Sequence, residues 1–240
     1  MIKLFRNIRY SLMENNKSGK YLRYAFGEIV LVVIGILIAL QINNWNVKRL
    51  EKNQQLKIYE RVLEDIDNDI SELSNTLTTL NTIKPVFEKV VQDSVTPELL
   101  DKGISRIIMG NYYLTSLNKT GVSQLKETTN KDSLAIKIIE TYDLMENIMV
   151  IPHEKRIMNE IEKLTNKLRT YPWFAEWMSK TIMKDNSSKE LQDYFLYSLE
   201  YKNSVIFFYQ QLYNNYYSGI QLSIASLTDI RKAVIARLDE

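Results

Sequence analysis

Residues 25–42, AFGEIVLVVIGILIALQI, constrain this chain more than any other feature. Eighteen helical residues rise about 27 Å against about 30 Å of bilayer hydrocarbon, so the segment reads as one membrane-spanning helix. Its uninterrupted apolar centre, residues 29–40, is short enough to invite two other readings, a buried core helix or a cleaved signal peptide. A signal peptide has a short basic head and an Ala-x-Ala cleavage site. Here more than twenty residues precede the apolar run, and Ala39-Leu40-Gln41 lacks that pattern. A core helix carries a polar stripe at the helical period, whereas residues 29–40 are apolar on every side, with Gly35 and Ala39 the only small ones. Tyr21, Tyr24 and Trp45 stand where interfacial aromatic anchors belong.

The flanks orient the span. Before Glu28 come Lys3, Arg6, Arg9, Lys17, Lys20 and Arg23, opposed by Glu14 alone, which gives residues 1–27 a charge of +5. The far flank mixes Lys48, Arg49 and Lys52 with Glu51 and Glu60. Basic flanks stay on the cytoplasmic side, so the expected arrangement is an inner-membrane protein with a cytoplasmic amino terminus and a periplasmic carboxyl-terminal domain. The expected divisions are a cytoplasmic basic segment over 1–20, the span over 21–46 and a soluble domain over 47–240.

Composition bounds that domain. The whole chain carries +2, so the part after residue 27 carries −3, a balance that argues against nucleic acid as a partner. With no cysteine, the chain has no thiol nucleophile, thiolate zinc site or disulfide, and lipoprotein processing is excluded. Only seven glycines and four prolines punctuate the sequence, which favours long helices over many short strands.

Periodicity gives the same answer. Residues 1–13 place Phe5, Ile8 and Leu12 opposite Lys3, Arg6 and Arg9, the pattern of a short helix on an anionic leaflet or of a frayed basic tail. After the span, Leu56, Tyr59, Leu63, Ile66, Ile70, Leu73, Leu77 and Leu80 recur at steps of three and four. That heptad seam calls for partner helices, either within the chain or from another protein or copy through the span and residues 56–80. Pro85 is expected to end or kink the helix, and Thr96-Pro97-Glu98 to start another over 99–109, stopped by Gly110 and Asn111. Short helices are expected over 122–128, 134–150, 173–183 and 191–201. The second of these should continue past Pro152 as a kinked helix through Leu168, and a final one should span 204–238 with Gly219 at a close crossing. The fold class is all-α: one amino-terminal transmembrane helix followed by an elongated antiparallel helical bundle.

The run from Gly27-Glu28-Ile29 to Asn43-Asn44-Trp45-Asn46 closely resembles bacterial one-span proteins grouped as domain of unknown function 6090. Tyr112-Tyr113-Leu114-Thr115-Ser116-Leu117, then Thr120-Gly121, then a helix through Ile138-Ile139 to Tyr142 is similar to the family's order of aromatic segment, small-residue turn and tyrosine-ended helix. Thr120 stands where the family usually has serine. The resemblance implies a membrane-anchored helical protein and supplies no catalytic residues.

Candidate chemistry is sparse. Glu28 is a carboxylate within the span and therefore a functional candidate, with pairing to Arg23 or Lys20 at the headgroups as its plainer role. Gly27, Leu31, Gly35 and Ala39 lie on one row, and Gly35 with Ala39 would let two helices approach closely. His153, the sole histidine, is expected at the surface; Glu64, Asp65, Asp67 and Asp69 are expected on a solvated outer face. Phe207, Phe208, Tyr209, Tyr213, Tyr216 and Tyr217 read as core rather than as a ligand cleft. No phosphate loop, Ser-His-Asp set or His-x-x-x-His pair is present, so no enzyme, cofactor or metal is expected. The leading expectation is a membrane-anchored interaction, scaffold or sensor-like module. The alternative is an accessory subunit of an ion-driven or transport complex that uses Glu28.

Overall fold

The computed structural model describes residues 18–108, 110, 117–179 and 187–239. The amphipathic segment expected over 1–13 and the aromatic segment from Tyr112 lie outside them, as do the side chains of Tyr21 and Tyr24. The chain divides into two compact units, Met1–Leu56 and Lys57–Glu240. Among the described residues there is no strand, and the fold is all-α.

Helix α1 (Ser18–Val91) contributes to both units. In the first unit it is apolar and uncovered: Ile29 and Ile36 are each 62% exposed and Leu40 is 52% exposed.

In the second unit α1 is the core helix. Tyr59, Val62, Ile66, Leu73, Leu80, Phe87 and Val90 are all buried, whereas Leu63, Ile70 and Leu77 are only partly so. The seam therefore runs through 59, 62, 66, 69, 73, 80, 87 and 90, rotated from the one read off Leu56, Leu63, Ile70 and Leu77. Both registers share Tyr59, Ile66, Leu73 and Leu80, and the helices of this same chain fill the space around them. Pro85 does not end the helix, which runs six residues further to Val91.

Helices α2 (Thr120–Glu127) and α3 (Ser133–Leu144) follow, the latter extended by a π-helical turn (Met145–Met149). Asp132 caps α3 by accepting from the Ala135 N–H at 2.8 Å. Helix α4 (Ile151–Leu168) starts afresh after Val150, whose φ of −119° breaks the run, and Pro152 occupies its first turn. Proline there loses no hydrogen bond, so the expected kink is a clean restart.

Helices α5 (Phe174–Ser179), α6 (Lys189–Tyr197) and α7 (Leu199–Tyr209) come next. A second π-helical stretch (Gln210–Tyr216) then leads into α8 (Tyr217–Leu238). Ser198 separates α6 from α7 and caps the latter, dividing the helix expected over 191–201. The helix expected over 99–109 is instead two 3-10 turns, Pro97–Leu99 and Ile104–Arg106. Gly103 between them adopts φ of +82°, which no right-handed helix accommodates.

Three long-range bonds set the direction of α8 and the π stretch before it. The Tyr213 hydroxyl donates to the Leu80 carbonyl at 2.7 Å, and Arg231 pairs with Asp67 at 2.6 Å. Arg237 reaches Asp132, which also accepts from Tyr59. As one chain rises in number its partner falls, so α8 runs antiparallel to the second-unit part of α1.

Candidate functional site

The polar centre of the second unit lies on α1 at positions the sequence assigned to a solvated face. Asp65 is 6% exposed and Asp69 0% exposed, and being one turn apart they face the same way. Their burial follows from what they meet. Asp65 Oδ2 accepts from the Gly121 N–H at 2.7 Å and the Val122 N–H at 3.4 Å, both in the first turn of α2. Those donors have no partner within their own helix, and the residue before α2, Lys119, offers no side-chain cap. Asp65 therefore caps α2 from a distant helix, its negative charge set at the positive end of the helix dipole.

Asp69 completes the clamp. One carboxylate oxygen accepts from the Asn118 backbone N–H at 2.9 Å and side-chain amide at 2.7 Å, and the other from the Tyr142 hydroxyl at 2.9 Å. Burial pushes the Asp69 carboxyl above the usual carboxylate range despite these bonds, with neighbouring Asp65 adding to the rise. Burial, then the Asp69 charge, raises the Tyr142 hydroxyl far above the ordinary phenol range.

Such close bonding needs close backbones. A Cβ on Gly121 would lie 2.5 Å from the Val62 backbone nitrogen. That contact, rather than a turn, explains glycine after Thr120. Glu64 and Asp67 of the same acidic run remain exposed, as expected.

A second polar group surrounds Asp132, which accepts from the Tyr59 hydroxyl at 2.6 Å and from Arg237 at 2.7 Å. Burial alone would raise the Asp132 carboxyl. The bonds from Tyr59, the Ala135 N–H and Arg237 together hold it below the usual range. A third group lies where α8 crosses the π turn before α4. The Tyr216 hydroxyl donates to buried Glu154 at 2.6 Å, and a Cβ on Gly219 would sit 2.1 Å from the Met149 carbonyl oxygen. The close crossing expected at Gly219 is present. His153 is not a simple surface residue, because its Nδ1 is buried with no hydrogen-bond partner. Burial, then Arg156, lowers its pKa.

The carboxyl-terminal aromatics are core, as expected for Phe208, Tyr213 and Tyr216, while Tyr209 and Tyr217 are partly buried and Phe207 is 45% exposed. The hydroxyls of Tyr213 and Tyr216 end on buried partners. Beside Phe207, an open groove of about 650 Å³ lies between α4 and α7 over Leu164 and Leu199, edged by the Glu160–Lys163 and Lys167–Glu200 ion pairs. Among the described residues no group of three or more His, Cys, Asp or Glu is placed to hold a metal ion.

The membrane-span candidates occupy the first unit. Glu28 is half-buried. Ala39 is exposed, and a Cβ on Gly35 would meet nothing within 4 Å. Trp45 is 63% exposed, and the Arg49 guanidinium sits 5.2 Å from its ring centre while also donating to Asn46 Oδ1 at 3.2 Å. The sequence missed the Asp65–Asp69 clamp. The available signal was that Asp69 falls on the three-four repeat through Tyr59, Val62, Ile66 and Leu73.

No curated protein and no solved structure matches the chain. A family model does match, over a segment that takes in most of the apolar stretch, both carboxylates of the clamp, Gly121 and Tyr142: residues 28–146 match the family of unknown function DUF6090.

Proposed function

We propose that this is a single-pass protein of a bacterial inner membrane, in which residues 47–240 form a periplasmic helical module that binds, scaffolds or senses other components without catalysis. The observation that carries the anchor is the apolar stretch of α1, with residues 29–42 exposed all round. Apolar area on that scale is not left in water, and a helix apolar on every side suits lipid. One helix long and apolar enough to cross a membrane is present among the described residues. The charge of +5 before Glu28 favours a cytoplasmic amino terminus.

The non-catalytic reading draws on how the buried acids are used. Asp65, Asp69 and Glu154 are all engaged in holding helices together, and the sole histidine sits in the first turn of a packed helix. Full-length protein should stay with membranes through carbonate extraction. A carboxyl-terminal alkaline phosphatase fusion should be active and a green fluorescent protein fusion dark. Release by carbonate removes the anchor, and the opposite fusion pattern reverses the orientation.

A further inference from the structure

On either side of Trp45, α1 runs through Asn43, Asn44, Asn46 and Asn53 with residues 43–54 exposed on all sides, apart from that packing of Arg49 on Trp45. Asparagine is a poor helix former, and a solitary helix of about a dozen residues is marginal in water. Yet Val47 and Leu50 are 44% and 51% exposed there. These two residues belong to a regular stripe. Ile36, Leu40, Asn43, Val47, Leu50 and Gln54 follow one another at steps of four and three, so they share one face from the apolar stretch into the polar flank. In heptad terms Leu40, Val47 and Gln54 occupy one core position and Ile36, Asn43 and Leu50 the other. Only Val47 followed by Leu50 has the β-branched-then-leucine order that suits a two-stranded parallel coil.

We propose that this stripe pairs with the same stripe of a second copy of the chain, forming a parallel two-helix contact from the outer half of the span through Gln54. The placement of charge and of amides fits a second copy. Lys48, Arg49 and Lys52 all fall on outer heptad positions, so two equally basic helices approach without bringing like charges together. Trp45 and Arg49 occupy the outer side with each other. A second copy anchored in the same membrane presents Asn43 and Gln54 at the same depth, so each amide meets its own kind and both are satisfied. The face differs from the Gly35 and Ala39 row, which lies one residue round the helix.

The parallel arrangement rests on the membrane-anchored reading above. The chain has no cysteine, so single substitutions report pairing directly. Full-length V47C, L50C, K48C and R49C variants in membranes are oxidised and resolved without reductant. V47C and L50C should give a product of twice 28.2 kDa, several-fold more than K48C or R49C. Adding Leu50→Lys to the V47C chain should remove that product. Three results each overturn the proposal while leaving the anchor standing: no dimer at any position in carbonate-resistant protein, equal dimer at all four, or a product of another mass. A chain that carbonate releases overturns both readings at once.

Discussion

Residues 25–50 and 59–90 lie on one helix and are both rich in aliphatic side chains, yet they meet their surroundings in opposite ways. In the first, apolar side chains such as Ile36 and Leu37 are more than half exposed; in the second, Tyr59, Ile66, Leu73 and Leu80 are sealed completely. Glycine makes the contrast sharper. Gly35 has open space around it, whereas Gly121 lies against the α1 backbone at Val62. Helical form in the second region is secured by tertiary packing and buried hydrogen bonds. In the first, among the described residues, no buried core stands behind it.

Four measurements would break or sharpen this contrast. The largest effect is expected from Gly219→Ala and Gly121→Ala, where the added methyl meets backbone that cannot yield. Each should destabilise detergent-solubilised full-length protein by about 3 kcal/mol or more in denaturant unfolding, while Gly35→Ala should cost nothing. Equal tolerance at the three glycines would erase the distinction. Next comes Asp69→Ala, which strands the Asn118 N–H and the Tyr142 hydroxyl and should cost about 2–4 kcal/mol. A double-mutant cycle with Tyr142→Phe should return a coupling well above zero, since the two share one bond.

A smaller effect concerns pH. Because burial raises the Asp69 pKa, the native protein holds that proton to higher pH than the unfolded chain does. The Asp69 contribution to stability is therefore fully present below the unfolded carboxylate pKa and is lost as pH rises through the raised native value. Asp132 has the opposite sign: its contribution is present above the unfolded pKa and is lost as pH falls through the lowered native one. Asp69→Asn should remove the first slope, seen as a steeper rise of stability with pH than in the parent. The smallest effect is expected from Leu50→Ala, which should leave the unfolding midpoint of the second unit unchanged. Leu73→Ala, with the same atoms removed from a sealed site, should cost about 2–5 kcal/mol. A matching loss at Leu50 would mean that the first region is held by the same core.

Much of this was legible in the residues. The helical class follows from periodicity and scarce glycine and proline, and Gly219 was readable as a crossing because glycine inside a helix is costly unless another backbone approaches it closely. Helix limits were less legible. Pro152 restarts a helix and Pro85 sits within one, and proline chemistry alone does not separate these cases, since the outcome depends on whether the chain breaks just before it, as at Val150. The clamp was the least legible part. Asp65 and Asp69 look like solvated acids until the start of α2 is brought against them. That start lies more than fifty residues away in sequence, so no local pattern announces the pairing.

The sequence by itself determined that residues 25–42 are apolar around the whole helix, that their leading flank is basic, and that the remainder is built of amphipathic helices. Periodicity and charge are properties of a segment and need no partner to be read. Only the tertiary structure decided which face of α1 is sealed, that two carboxylates lie inside it, and why glycine stands at 121. Burial and capping are relations between distant segments, and a buried charge is tolerable only where unpaired N–H and O–H donors converge on it.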